Sequence, residues 1–83
     1  MNYVVYVLEC ADGTFYIGST NDIEKRVKAH NEGKAGARYT RGRRPVVVRY
    51  VEEVGTRGNA LKREALLKKL TRKEKCALVA SGG

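Results

Sequence analysis

Near the N-terminus, two runs of strand-forming residues flank an Asp-Gly pair, and a β-hairpin is the arrangement that accommodates them. Residues 3–9 read YVVYVLE and residues 14–19 read TFYIGS. Both runs are rich in β-branched and aromatic types, which suit a pleated, half-buried surface. Asp12-Gly13 between them is a strong hairpin turn signal. A turn centred there sets Tyr6 and Tyr16 roughly level across the two strands. Alternation gives Tyr6 one face with Val4 and Leu8, and Tyr16 one face with Gly18. A glycine inside a strand often marks a bulge or a close approach by other atoms.

Downstream, the periodicity changes. Thr20 or Asn21 is expected to cap a helix that carries Asp22 and Glu24 in its first turn and Ile23 and Val27 as its apolar stripe, and that ends near Gly33. Residues 33–44, GKAGARYTRGRR, form a Gly- and Arg-rich loop with no acid. Residues 46–51, VVVRYV, read as a third strand, with Pro45 suited to its start. Gly55–Gly58 reads as a turn and residues 59–70 as a helix. Thr71 and Glu74 have capping-box spacing and open a last helix through about Ala80, after which Ser81-Gly82-Gly83 is expected to fray. The order β-β-α-β-α-α gives an α+β domain, a three-stranded antiparallel sheet flanked by helices. With 83 residues the chain is expected to form one domain over 1–83 and to bury a little over half of its unfolded surface.

Charge narrows the partner. Seventeen Lys and Arg against nine Asp and Glu give +8, and all seventeen cations fall between Lys25 and Lys75. A field of this sign favours polyanions, with nucleic acid ahead of an anionic membrane. The apolar run around Val4–Leu8 is far too short to span a bilayer, and the first residues lack the basic region and cleavage site of a secretion signal. Two cysteines, Cys10 and Cys76, make neither a disulfide framework nor a zinc site. The expected location is the cytoplasm.

Several residues could carry chemistry, each with a plainer structural reading beside it. Tyr6 and Tyr16 are a reactive pair or simply good sheet packing. Arg26 and His30, four apart on one helix face, are a phosphate clamp with a proton shuttle, or a solvated arginine beside a partly buried histidine. Glu64 falls on the packed side of its helix, among Ala60, Leu61 and Leu67. A carboxylate there is costly unless paired or bound to a cation, so it is a buried salt bridge or a Mg²⁺ ligand. In the loop, Arg38, Tyr39, Arg41, Arg43 and Arg44 combine charge with an aromatic ring, as nucleic-acid contacts do. No Ser-His-Asp set and no phosphate-binding G-x-x-x-x-G-K-[ST] loop occurs.

In order, Val4-Val5-Tyr6, Tyr16-Ile17-Gly18, Arg26, His30 and Glu64 resemble the GIY-YIG nuclease domain. The second motif is intact, whereas the first keeps its tyrosine but has Val-Val in place of Gly-Ile. The stretches LECADGTFYIGSTNDIEKRVKAHN, KAGARYTRGRRPV and ALKREALLKKLTRKEK look like the short stand-alone bacterial subfamily, so the resemblance covers nearly the whole chain. It implies hydrolysis of DNA phosphodiester bonds with one divalent ion, Mg²⁺ or Mn²⁺, held by Glu64. It further implies Tyr6 as general base or water-orienting group, Tyr16 supporting it, Arg26 on the scissile phosphate, and His30 assisting at the phosphate or in proton transfer. Base work needs the Tyr6 pKa to fall from near 10, which a nearby cation and metal would cause. The asparagine that often follows the family's glutamate is missing, since no Asn occurs after Asn59. Most family nucleases add a targeting domain, so structure-selective or low-specificity cleavage is expected here, in repair, recombination or the processing of branched DNA. The alternatives are a non-catalytic nucleic-acid-binding domain on the same scaffold and an RNA- or ribosome-associated protein.

Overall fold

The computed structural model describes residues 2–32 and 42–82. Three strands, β1 (Tyr3–Glu9), β2 (Phe15–Thr20) and β3 (Val47–Gly55), and three helices, α1 (Ile23–Glu32), α2 (Arg57–Lys68) and α3 (Arg72–Gly82), follow one another as β-β-α-β-α-α. The sheet is antiparallel with order β2-β1-β3, so β1 is central. The expected α+β architecture is the observed one.

Local chemistry explains each junction. The β1–β2 turn closes with the Gly13 N–H on the Cys10 carbonyl at 2.9 Å. Gly13 adopts φ +84, a region that glycine enters without steric cost. Asp12 braces the turn, accepting hydrogen bonds from the Thr14 N–H at 3.1 Å and the Thr14 hydroxyl at 2.6 Å. The strand register corrects one expectation: Tyr6 lies opposite Gly18 and Tyr16 opposite Leu8, so the two tyrosines are diagonal neighbours rather than level. The turn needs five residues between the last paired positions, Glu9 and Phe15, so Tyr6 meets Gly18, two residues beyond Tyr16.

The cap of α1 is Asp22 rather than Thr20 or Asn21. Its Oδ1 accepts from the Lys25 N–H at 3.1 Å and its carbonyl from the Arg26 N–H at 3.0 Å, while the Thr20 hydroxyl oxygen accepts from the Asp22 N–H. A carboxylate there also meets the positive end of the helix dipole. β3 runs to Gly55, beyond the expected residue 51, because Glu52 and Val54 continue its alternation, and Gly55 at φ +86 ends it. α2 consequently starts at Arg57, two residues early, with Thr56 as its cap accepting from the Asn59 N–H at 3.1 Å. Thr71 and Glu74 form the reciprocal capping box of α3, with bonds of 2.9 and 3.2 Å. That helix does not fray at Ser81: it continues to Gly82, and the Ser81 hydroxyl donates to the Leu78 carbonyl.

β1 is buried on both sides. Val5 and Val7 pack with Ile17, Ala60 and Leu67 on the face covered by α2 and α3. Tyr6 and Leu8 pack with Cys10, Val46, Ile23 and Val27 on the face covered by α1. A second anchor holds α2 to β3: Arg63 meets Glu52 through bonds of 2.8 and 3.2 Å, and the Tyr50 hydroxyl donates to the same carboxylate at 2.7 Å. Burial opposes ionisation of Glu52, but these donors prevail and hold its carboxyl below the usual range. The anchor sets the rotation of α2 and turns Ala60, Glu64 and Leu67 toward the sheet. Leu61, expected on that packed side, is 53% exposed, because it lies one residue beyond the Ala60–Glu64–Leu67 stripe. Among the described residues, no helix is long and apolar enough to cross a membrane.

Candidate active site

Four of the five singled-out residues meet on the α1 face of the sheet. His30 lies seven residues after Ile23 and four after Arg26, so the helix repeat carries it onto the apolar stripe. Its side chain is fully buried. The Tyr6 hydroxyl lies 3.1 Å from the His30 Nε2. Tyr16 completes the cluster, its ring centroid 5.0 Å from His30 and 6.4 Å from Tyr6. The Arg26 guanidinium bonds the Tyr6 phenol and also acts on Tyr16.

Gly18 makes this packing possible. A Cβ at that position would stand 2.5 Å from the Tyr6 hydroxyl oxygen and 2.7 Å from the adjoining ring carbon. The close approach expected at a strand glycine is therefore made by a side chain of the same protein.

The electrostatics set the charge states of the cluster. Burial, aided by Arg26 and Arg44, depresses the His30 pKa from 6.5 to about 4, so the imidazole is neutral at pH 7. Arginine can only donate, so the Tyr6 oxygen accepts from Arg26, and the phenol donates to Nε2 in the tautomer whose imidazole proton sits on Nδ1. Burial also raises the Tyr6 pKa, and the lowering contributed by Arg26 is the smaller effect. The neighbouring cation lowers this phenol as expected, but in the protein alone desolvation outweighs it. His30 has no exposed surface and meets the Tyr6 hydroxyl from within the core.

Glu64 approaches from the opposite face, at the edge of β2. Its Oε1 accepts from the Ser19 hydroxyl at 2.8 Å and its Oε2 pairs with Lys68 at 2.8 Å. The salt bridge expected as its plainer role is made with a half-exposed lysine one helical turn on. The carboxylate charge reaches Tyr6 and contributes to raising its pKa. Ser19 escaped the sequence reading, although it directly follows Tyr16-Ile17-Gly18 and alternation points it to the α2 side.

A cleft of about 280 Å³, lined by Thr20, Asn21, Asp22, Lys25, Arg26 and Ala29, opens beside this cluster. Arg26 is shared between cleft and cluster. Among the described residues, no three His, Cys, Asp or Glu gather as a metal cluster. The Glu64 carboxylate and the Ser19 hydroxyl are hard oxygen donors, a set that fits Mg²⁺ or Mn²⁺ completed by water and substrate phosphate.

Of the basic loop, Arg38, Tyr39 and Arg41 lie outside the described residues. Arg43 and Arg44 serve as struts. Arg43 pairs with Asp12 at 2.9 Å, and its carbonyl accepts from the Ala11 N–H. Arg44 donates to the His30 carbonyl at the end of α1, and Asn31 brackets Val46 with bonds of 2.7 and 3.1 Å.

The family model for the GIY-YIG catalytic domain matches residues 2–77. The chain belongs to the GIY-YIG family. It is similar to a UPF0213 protein of Syntrophus aciditrophicus, 53% identical over 94% of this chain and 88% of that one. It is also similar to the UPF0213 protein YazA of Bacillus subtilis, 50% identical over 89% of this chain and 74% of that one. The solution NMR structure of a UPF0213 protein from Bacillus halodurans superposes with a TM-score of 0.63 at 42% identity, covering 100% of this chain and 88% of that chain. The fold is thus a nuclease-type fold shared with these small proteins.

Proposed function

We propose that this GIY-YIG chain is an endonuclease that hydrolyses DNA phosphodiester bonds with one divalent ion, and that it selects substrates by structure or with low specificity. The observation that carries this reading is the Tyr6 hydroxyl held between a neutral imidazole and a guanidinium that also lines an open cleft. Any buried phenol needs a partner for its hydroxyl; what supports a functional role here is that one of its two partners, Arg26, also faces the open cleft.

Each residue has a role in this reading. Arg26 binds the scissile phosphate and offsets the charge that develops on it. His30 accepts the Tyr6 hydrogen, fixing the phenol so that it orients the attacking water. As a base Tyr6 needs its pKa lowered, and the Arg26 guanidinium, which bonds the phenol, is the protein's own lowering influence. Tyr16 packs against both rings and holds their tilt. A divalent ion held by Glu64, with Ser19 beside it, would supply charge stabilisation for the leaving oxygen. Lys68 must leave the carboxylate for that ion to bind. The products would carry a 5′-phosphate and a 3′-hydroxyl.

One observation favours a second reading, a non-catalytic nucleic-acid-binding domain. Glu64 is already satisfied by Ser19 and Lys68, and the Tyr6 phenol is raised rather than activated. Incubation of labelled duplex, nicked, flapped and single-stranded DNA with Mg²⁺ or Mn²⁺ separates the two. Cleavage abolished both by EDTA and by Glu64→Ala supports the nuclease. Binding without cleavage on all four substrates supports the second reading.

A further inference from the structure

The edge of the sheet near Glu64 is not flat. A cleft of about 360 Å³ runs between β2 and the last two helices, lined by Phe15, Tyr16, Ile17, Lys68 and Lys75. A smaller one of about 190 Å³, lined by Thr14, Phe15, Arg72 and Lys75, adjoins it. They share Phe15 and Lys75, so together they make one trough. At one end stand Tyr16, from the phenol cluster, and Lys68, the partner of Glu64. At the other stands Arg72, whose guanidinium lies 5.3 Å from the Phe15 ring centre and donates to the Gly13 carbonyl at 3.0 Å.

Among the described residues, no acidic side chain lines the trough. Three cations and two partly exposed aromatic rings do. A cationic groove with aromatic side chains is the arrangement that holds an unpaired nucleic-acid strand, the cations following the phosphates and the rings meeting the bases. The basic loop does not provide this at Arg43 and Arg44, which tie the loop to the β1–β2 turn and to α1.

From this geometry we infer that the Phe15–Lys75 trough binds an unpaired DNA strand leading to the reaction site, so that the substrates are flaps or forks rather than intact duplex. The inference rests on the nuclease reading for the identity of the site and extends it to the substrate. Lys68 links the two: seated on Glu64 in the protein alone, it is released toward a strand phosphate when a cation takes the carboxylate.

The test is fluorescence anisotropy of labelled single-stranded, flapped and blunt duplex DNA over a range of salt, with Ca²⁺ in place of Mg²⁺. Lys75→Ala is expected to lower the salt slope on single strands by about 0.7, one phosphate contact. Phe15→Leu is expected to weaken single-strand and flap binding at least fivefold while leaving that slope unchanged, since stacking carries no counterion. Lys62→Ala, an exposed cation outside the trough, is the control and should change much less than Lys75→Ala. Equal losses for Lys75→Ala and Lys62→Ala, or equal losses on duplex and single strands, would overturn the proposal. Binding does not require turnover, so a protein that shows these effects but cleaves nothing keeps the trough and loses the nuclease reading.

Discussion

The Cβ that Gly18 lacks would lie 2.5 Å from the hydroxyl oxygen of Tyr6. Tyr6 is only 1% exposed, so its ring has no solvent to retreat into. A side chain at position 18 must move the phenol off His30 or push the strands apart.

Gly18→Ala is therefore expected to destabilise the protein by about 1–3 kcal/mol, the usual cost of overpacking a core. Gly58→Ala is its counterpart. Gly58 lies in the first turn of α2, and its added methyl would meet only the Thr56 hydroxyl oxygen, at 4.0 Å. That substitution should stabilise by up to about 1 kcal/mol through helix propensity and a less flexible unfolded chain. Urea melts of the two variants should shift in opposite directions.

The buried imidazole sets a pH dependence. Its folded pKa of about 4 lies below its unfolded value, so the unfolded chain takes up the proton first as pH falls. The stabilisation is complete above about pH 6.5, declines through the window down to about pH 4, and is flat below. Between roughly pH 7.5 and pH 5 the loss should be on the order of 2 kcal/mol. His30→Gln should flatten the profile over that interval. An equally steep profile in the variant would mean that His30 is not the group responsible.

Arg26→Lys keeps the charge and removes the fork. A lysine cannot serve the Tyr6 oxygen and a phosphate with two aligned donors. DNA cleavage is expected to fall by about 10²-fold or more, and the Tyr6 phenol should titrate at still higher pH. A spectrophotometric titration reads the second effect independently of turnover.

Ser19→Ala leaves Glu64 with Lys68 alone. A carboxylate that has lost its orienting hydroxyl should bind Mn²⁺ about 10-fold more weakly, as read by electron paramagnetic resonance of the free ion. Ser19→Thr should restore most of the affinity, since it restores the donor. Failure of Thr to rescue would place the effect in packing instead.

Much of this could be read from residue order. The Asp12-Gly13 hairpin, the Thr71–Glu74 capping box and the element order each have a short-range signal. Tyr6 with Tyr16, and Arg26 with His30, were legible as pairs from strand pairing and the helix repeat, and the resemblance joined the pairs into one set. What escaped depends on distances between elements. The Tyr6–Gly18 register needed the length of the turn, and the start of α2 at Arg57 needed Gly55 to adopt positive φ. Burial of the Tyr6 phenol, which outweighs the lowering by Arg26, is a property of α1 packed on the sheet. The Ser19–Glu64 bond joins residues 45 positions apart, and no local pattern announces it.

β1 lies at the centre of the sheet, with Val5, Tyr6, Val7 and Leu8 all out of solvent. The phenol of the candidate site and the hydrophobic core are thus successive residues of one strand. A site built this way cannot melt ahead of its scaffold: Tyr6 leaves His30 when β1 leaves the sheet. Heat should take away chemistry and fold at one temperature, and the slowest-exchanging amides should lie beside the Tyr6 hydroxyl.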